Sequence, residues 1–229
     1  MNQKSQNPTT IVLQLIDSIL EYSNVGNKIQ ATKHCATLQS IITSFPLILW
    51  DNQSIWKLAK VFLIMYHYDI YEQEDANIGL MHEAYLFANR SIDLFEQTTQ
   101  NSETAQEDYF QALRTQILIL KTGTDCFTPI VSDLYAKKTG VMSAQETQIA
   151  QQLSNTALLI MQYAVLDKIS EHFPDFNQDV FLEDLCASIE VEHAEISKTS
   201  LIQAQKIHTR MLYDIKKNFT HKYSLAKNT

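Results

Sequence analysis

Glu190-Val-Glu-His193 is the spacing in this chain that comes nearest to metal chemistry. A glutamate and a histidine three residues apart share one face of a helix. Di-iron bundles bind their metals through two such motifs and two further glutamates on facing helices. The sequence contains no second Glu-x-x-His, and His193 falls on the apolar stripe of its own segment. The expected role of His193 is therefore a hydrogen-bonded histidine at a helix interface, with no metal or other cofactor required.

Tyr66-His67-Tyr68 and Met81-His82-Glu83 lie on two adjacent predicted helices and are the other places where a polar pocket could be lined. A general base needs its histidine beside an acid in an accessible cleft. Spacing along the chain does not supply that geometry, so polar tips at a helix–helix contact are the expected reading. The three cysteines, Cys35, Cys126 and Cys186, are far apart, and no metal or redox spacing links them. Cys35 shares a stripe with Ala31, Leu38, Ile42 and Phe45, which marks it as a small buried hydrophobe. Gly-x-Gly-x-x-Gly, Walker-type, Gly-x-Ser-x-Gly, His-Glu-x-x-His and EF-hand patterns are all missing.

Charge points to a different kind of site. The net charge is −8, yet from Lys206 onward six lysine or arginine residues stand against one aspartate. These are Lys206, Arg210, Lys216, Lys217, Lys222 and Lys227, with Arg210, Lys216, Lys217 and Lys222 as the candidate partner-binding cations. Cations near a helix C-terminus complement the macrodipole, and that is their simplest role. Docking against an acidic surface is the second reading. Nucleic-acid binding is third, because the acidic body repels phosphates.

The elements that must carry these residues are helical. Four glycines and four prolines in 229 residues fall far below the usual ~7% and ~5%. Tight turns and phosphate-cradling loops need glycine for positive φ or close backbone approach, so the fold class is all-α. Eight to ten helices are expected, as antiparallel hairpins forming a tetratricopeptide-like array or a multi-helix bundle in a single domain over 1–229.

Ser54–Glu72 is the organising helix, because apolar or aromatic residues occupy nearly every side of it. Lys57, Lys60, His67 and Asp69 interrupt it well short of the about 20 apolar residues of a membrane span. Ser154–Ile169 is a second enclosed helix, and Phe62 and Leu159 are expected core positions. Residues 1–9 are expected to fray and carry no signal-peptide pattern. Helices follow from about Thr10 to Ser23, with Gly26 as the stop, and from about Lys28 to Ser44. The helix ending near Thr98 carries two stripes, Ile78-Met81-Tyr85-Ala88-Ile92-Phe95 and Leu80-Ala84-Phe87-Ser91-Leu94, implying two packing partners. Thr104 with Glu107, and Ser143 with Glu146, are predicted capping boxes, and Thr128-Pro129 is the predicted start of a short helix. Residues 178–222 form a long C-terminal helical segment with an apolar stripe through Ile207, Met211, Ile215 and Phe219.

Helix starts recur at intervals that place helical-repeat arrays under consideration. The stretch from Trp56 through Ala84, Ser91 and Leu94 resembles a tetratricopeptide-type hairpin, in which the first helix opens on an aromatic and the second carries small residues at the crossing. The resemblance covers about 45 residues, and the family's helix-A glycine and following proline are absent. It implies a protein-interaction scaffold. The expected function is accordingly a non-enzymatic interaction module in the cytoplasm. Its partner would be another protein or a second copy, with no membrane role. A nucleic-acid regulator working through the basic C-terminal helix and a metal-dependent bundle enzyme using Glu190 and His193 are the alternatives.

Overall fold

The computed structural model describes residues 8–42, 52–72, 78–98, 102–139, 144–174 and 198–223. Within them lie eight helices and no strand. They are α1 (Pro8–Asn24), α2 (Lys28–Ile42), α3 (Asn52–Glu72), α4 (Ile78–Thr98), α5 (Glu103–Thr122), α6 (Thr124–Thr139), α7 (Ala144–His172) and α8 (Lys198–Tyr223). The all-α expectation holds. The helices group into two compact units, Met1–Asp108 with Lys217–Thr229, and Tyr109–Lys216.

In the first unit α1 and α2 form a hairpin whose turn follows from one glycine. Gly26 has φ 71°, a left-handed conformation that costs a side-chain-bearing residue about 1–2 kcal/mol. Its N–H bonds the Ser23 carbonyl at 3.1 Å, and the Asn27 N–H bonds the Tyr22 carbonyl at 2.8 Å, which together close the end of α1. The Asn27 side chain then accepts from the Gln30 N–H at 3.3 Å and opens α2. Ala31, Cys35, Leu38 and Ile42 are the buried stripe of α2, as their spacing predicts.

The hairpin packs on α3, and α3 packs most extensively along α4. Five residues separate α3 from α4, too few to span a helix of 21 residues, so the two run antiparallel. Ile55, Leu58, Ala59, Val61, Phe62, Leu63, Met65 and Tyr66 of α3 are all buried. That is the enclosure its apolar circumference demands. Both stripes of α4 are used: Met81, Tyr85, Ala88 and Ile92 on one, Leu80, Ala84, Phe87 and Ser91 on the other. Phe62 and Phe87 stack at 5.4 Å between ring centroids.

Trp56 on α3 donates its indole N–H to the Asp108 carboxylate on α5 at 2.8 Å. Asp108 is buried, so the bond is charge-assisted and shielded from water. Asp108→Ala is expected to cost about 2 kcal/mol, read as a lower melting temperature together with a red shift of tryptophan emission. Unchanged melting would mean that other groups satisfy the indole.

The second unit is built on α5 from Tyr109, α6, α7 and α8 up to Lys216. Tyr109, Leu113, Ile117 and Leu120 of α5, Phe127 and Val131 of α6, Leu158, Met161 and Ile169 of α7, and Met211 and Ile215 of α8 supply its core. Polar contacts tie α6 to α7: the Thr128 hydroxyl donates to Asn155 Oδ1 at 3.3 Å, and the Ser132 and Ser154 hydroxyls pair at 3.0 Å. Aromatic rings close the end of α7, where Phe173 lies 5.1 Å from Phe110 and His172 lies 5.5 Å from Tyr109.

Three local expectations are corrected. The cap of α5 is Ser102, whose hydroxyl accepts from the Ala105 N–H at 3.2 Å, not the Thr104–Glu107 box. Both pairs have the right chemistry, and the helix begins one residue before Thr104. α6 starts at Thr124, so Pro129 sits inside it and not at its first position. The Gly123 carbonyl accepts from both Cys126 and Phe127, at 2.8 and 3.1 Å, and sets the earlier start. Leu159 is only partly buried, and the neighbouring Leu158, Ile160 and Met161 face the core instead. Ser143, and the segment from 175 to 197 that holds Glu190 and His193, lie outside the described residues.

Candidate functional site

The apolar stripe of α8 resolves which way the basic helix points. Ile207, Met211 and Ile215 recur every four residues, and Met211 and Ile215 are buried in the second unit. The stripe thus completes the core of its own chain. What remains outside is the opposite face.

On that face Ile202, Lys206, Thr209, Tyr213 and Lys216 alternate at spacings of four and three, so they share one side of the helix. All five are exposed. Ile202 is 55% exposed and Tyr213 57%, and they stand eleven residues apart, about 16 Å along the axis. Arg210 borders the stripe. Its guanidinium lies 5.1 Å from the centre of the Tyr213 ring and 3.6 Å from the Asp214 carboxylate. Lys217 is exposed in the next position. Lys222 falls within the helix, but its side chain lies outside what is described.

Beneath this surface, on the flank turned toward α7, is His208. Burial lowers its pKa from 6.5 to about 4, with Lys168 of α7 and Lys216 of α8 adding to the effect. The imidazole is neutral at pH 7, and two lysines keep the local field positive. Lys168 and Lys216 thus act on His208 from two helices of the same unit.

The other described titratable positions singled out in the sequence lie on α2, α3, α4 and α6. His67 is half-buried on α3, with its pKa lowered by burial and its ring 6.1 Å from that of Tyr66. His82 is partly buried and Glu83 buried on α4. Cys35 and Cys126 are buried, one in each unit, and neither is in a disulfide. Among the described residues no three His, Cys, Asp or Glu side chains gather where they could hold a metal ion. None of the described helices is long and apolar enough to cross a membrane.

Composition singles out Arg210, Lys216 and Lys217, and the structure adds Ile202 and Tyr213 as exposed apolar residues on the same side of α8. Neither lies on the dominant stripe, and an apolar residue off the stripe becomes informative only once the stripe is known to be buried. A second exposed apolar pair, Val25 and Ile29 at 72% and 80%, flanks the Gly26 turn, with no comparable cluster of cations around it in the described residues.

No family model matches the chain, and neither a curated protein nor a solved structure matches it.

Proposed function

We propose that this chain is a non-enzymatic protein-interaction module whose contact surface is the outer face of α8. The observation that carries the reading is the exposure of Ile202 and Tyr213 on a stripe that also bears Lys206 and Lys216. Isolated exposed apolar residues need no explanation, but an aromatic and an aliphatic residue in register with cations form a surface suited to a partner. Tyrosine and arginine, which stack here, are the residue types that most often dominate binding energy at interfaces. The rest of the unit holds the helix rigid by burying its opposite side.

The same proposal includes an array of helical hairpins of tetratricopeptide-like character, supported by the antiparallel packing of α3 on α4 and of α1 on α2. It also includes a reducing compartment such as the cytoplasm, which suits cysteines that form no disulfide, as Cys35 and Cys126.

Capture experiments with the wild type and Tyr213→Glu, checked for equal melting temperatures, test the reading. A charged side chain in place of the aromatic ring of the stripe is expected to remove the specifically bound proteins, with a loss of affinity of about tenfold or more. An identical set of captured proteins from both would count against this face.

A further inference from the structure

Resting on the reading of α8 as the contact face, we infer that its occupant is an acidic amphipathic helix of another protein, lying along Ile202, Lys206, Tyr213 and Lys216. The spacing of the stripe supplies the first argument. Ile202 and Tyr213 lie on one line along α8, about 16 Å apart, a straight track with two anchors that a rod-shaped helix can cover.

Charge complementarity supplies the second. The described exposed positions of this face, 202, 205, 206, 209, 210, 213, 216 and 217, hold four cations and no carboxylate. Asp214 lies to the side, engaged with Arg210. A partner helix with two apolar anchors about 16 Å apart and carboxylates beside them would bury Ile202 and Tyr213 and meet Lys206 and Lys216 at the flanks. The Arg210–Asp214 pair is long at 3.6 Å, so an incoming carboxylate can compete for the guanidinium.

The third argument sets a peptide apart from a larger polyanion. With a net charge of −8, the chain repels an extended anionic surface, whereas a single helix samples only the local positive field of α8.

The test uses the full chain and a synthetic amphipathic helix with two leucines eleven residues apart flanked by glutamates. A twin peptide with lysine for every glutamate is the control. Titration by fluorescence anisotropy is expected to show binding of the acidic peptide alone, weakening as salt rises. Lys206→Glu with Lys216→Glu should weaken it by about tenfold to a hundredfold. Lys206→Gln, at an exposed position, serves if the double reversal perturbs folding, and should weaken binding by a few fold.

Failure of the acidic peptide to bind, equal binding of both peptides, or indifference to these variants would overturn the acidic-helix partner. So would tighter binding to phosphatidylserine vesicles or duplex DNA, which would assign the face to phosphates. A dimer of the chain alone, dissolved by Tyr213→Glu in sedimentation, would assign it to a second copy. In each of these cases the capture comparison with Tyr213→Glu still decides separately whether the face binds a protein at all.

Discussion

Phe62→Ala is expected to lower the unfolding free energy by about 3–5 kcal/mol, the largest loss for any single truncation considered. Phe62 is buried at the middle of α3, and its ring stacks on Phe87 of α4. Removing it deletes the transfer energy of the ring and leaves a cavity. Neighbours that could collapse into the space, Leu58, Ala59, Met65 and Tyr66, are already buried on the same helix. Urea denaturation of the two proteins measures the difference. A loss below about 1 kcal/mol would mean that α3 is not the enclosed helix of its unit. Leu159→Ala, at a partly buried site of α7, should cost less, about 2 kcal/mol.

The second large effect is a pH dependence. His208 has a folded pKa of about 4 against an ordinary 6.5, first because it is buried and then because Lys168 and Lys216 oppose its charge. Between those two values the unfolded imidazole carries a proton that the folded one lacks. Unfolding then takes up a proton, so stability falls as the pH is lowered through that window and is fully present above 6.5. The group accounts for a loss of about 3 kcal/mol by pH 4. His67, lowered in the same direction by burial, adds to the slope. His208→Gln should flatten the fall in stability between pH 6.5 and 4 while carboxylates titrate as before. Denaturation curves across that range read the effect directly. An unaltered slope would show that His208 is not held neutral by its surroundings.

The architecture was legible wherever one physical constraint acted alone. Scarce glycine excludes the turns of β structure, and the enclosed character of α3 follows from its apolar circumference before any partner is known. The two stripes of α4 predict a helix covered on two sides, and Met81, Tyr85, Ala88 and Ile92 of one and Leu80, Ala84, Phe87 and Ser91 of the other are buried, whereas Ile78 in its first turn is 46% exposed. Gly26 was readable because a left-handed helix end favours that residue. Legibility failed where two local solutions have similar energy. Ser102 and Thr104 are both competent caps, and Thr124 and Thr128 both precede helical sequence, so contacts elsewhere choose between them. The proposed contact face was half legible. Its cations stood out by composition, whereas Ile202 and Tyr213 became meaningful only after Met211 and Ile215 were found in the core.

Two exposed apolar pairs among the described residues, Ile202 with Tyr213 and Val25 with Ile29, make competing predictions, and photo-crosslinking compares them in one experiment. A photoreactive phenylalanine analogue is placed at position 213 in one sample and at position 29 in another, and each is irradiated in its native cells. The account predicts a discrete adduct from position 213, with the cross-linked peptide of the partner rich in aspartate and glutamate. A discrete adduct from position 29 alone, with none from position 213, would contradict it and move the contact surface from α8 to the α1–α2 turn.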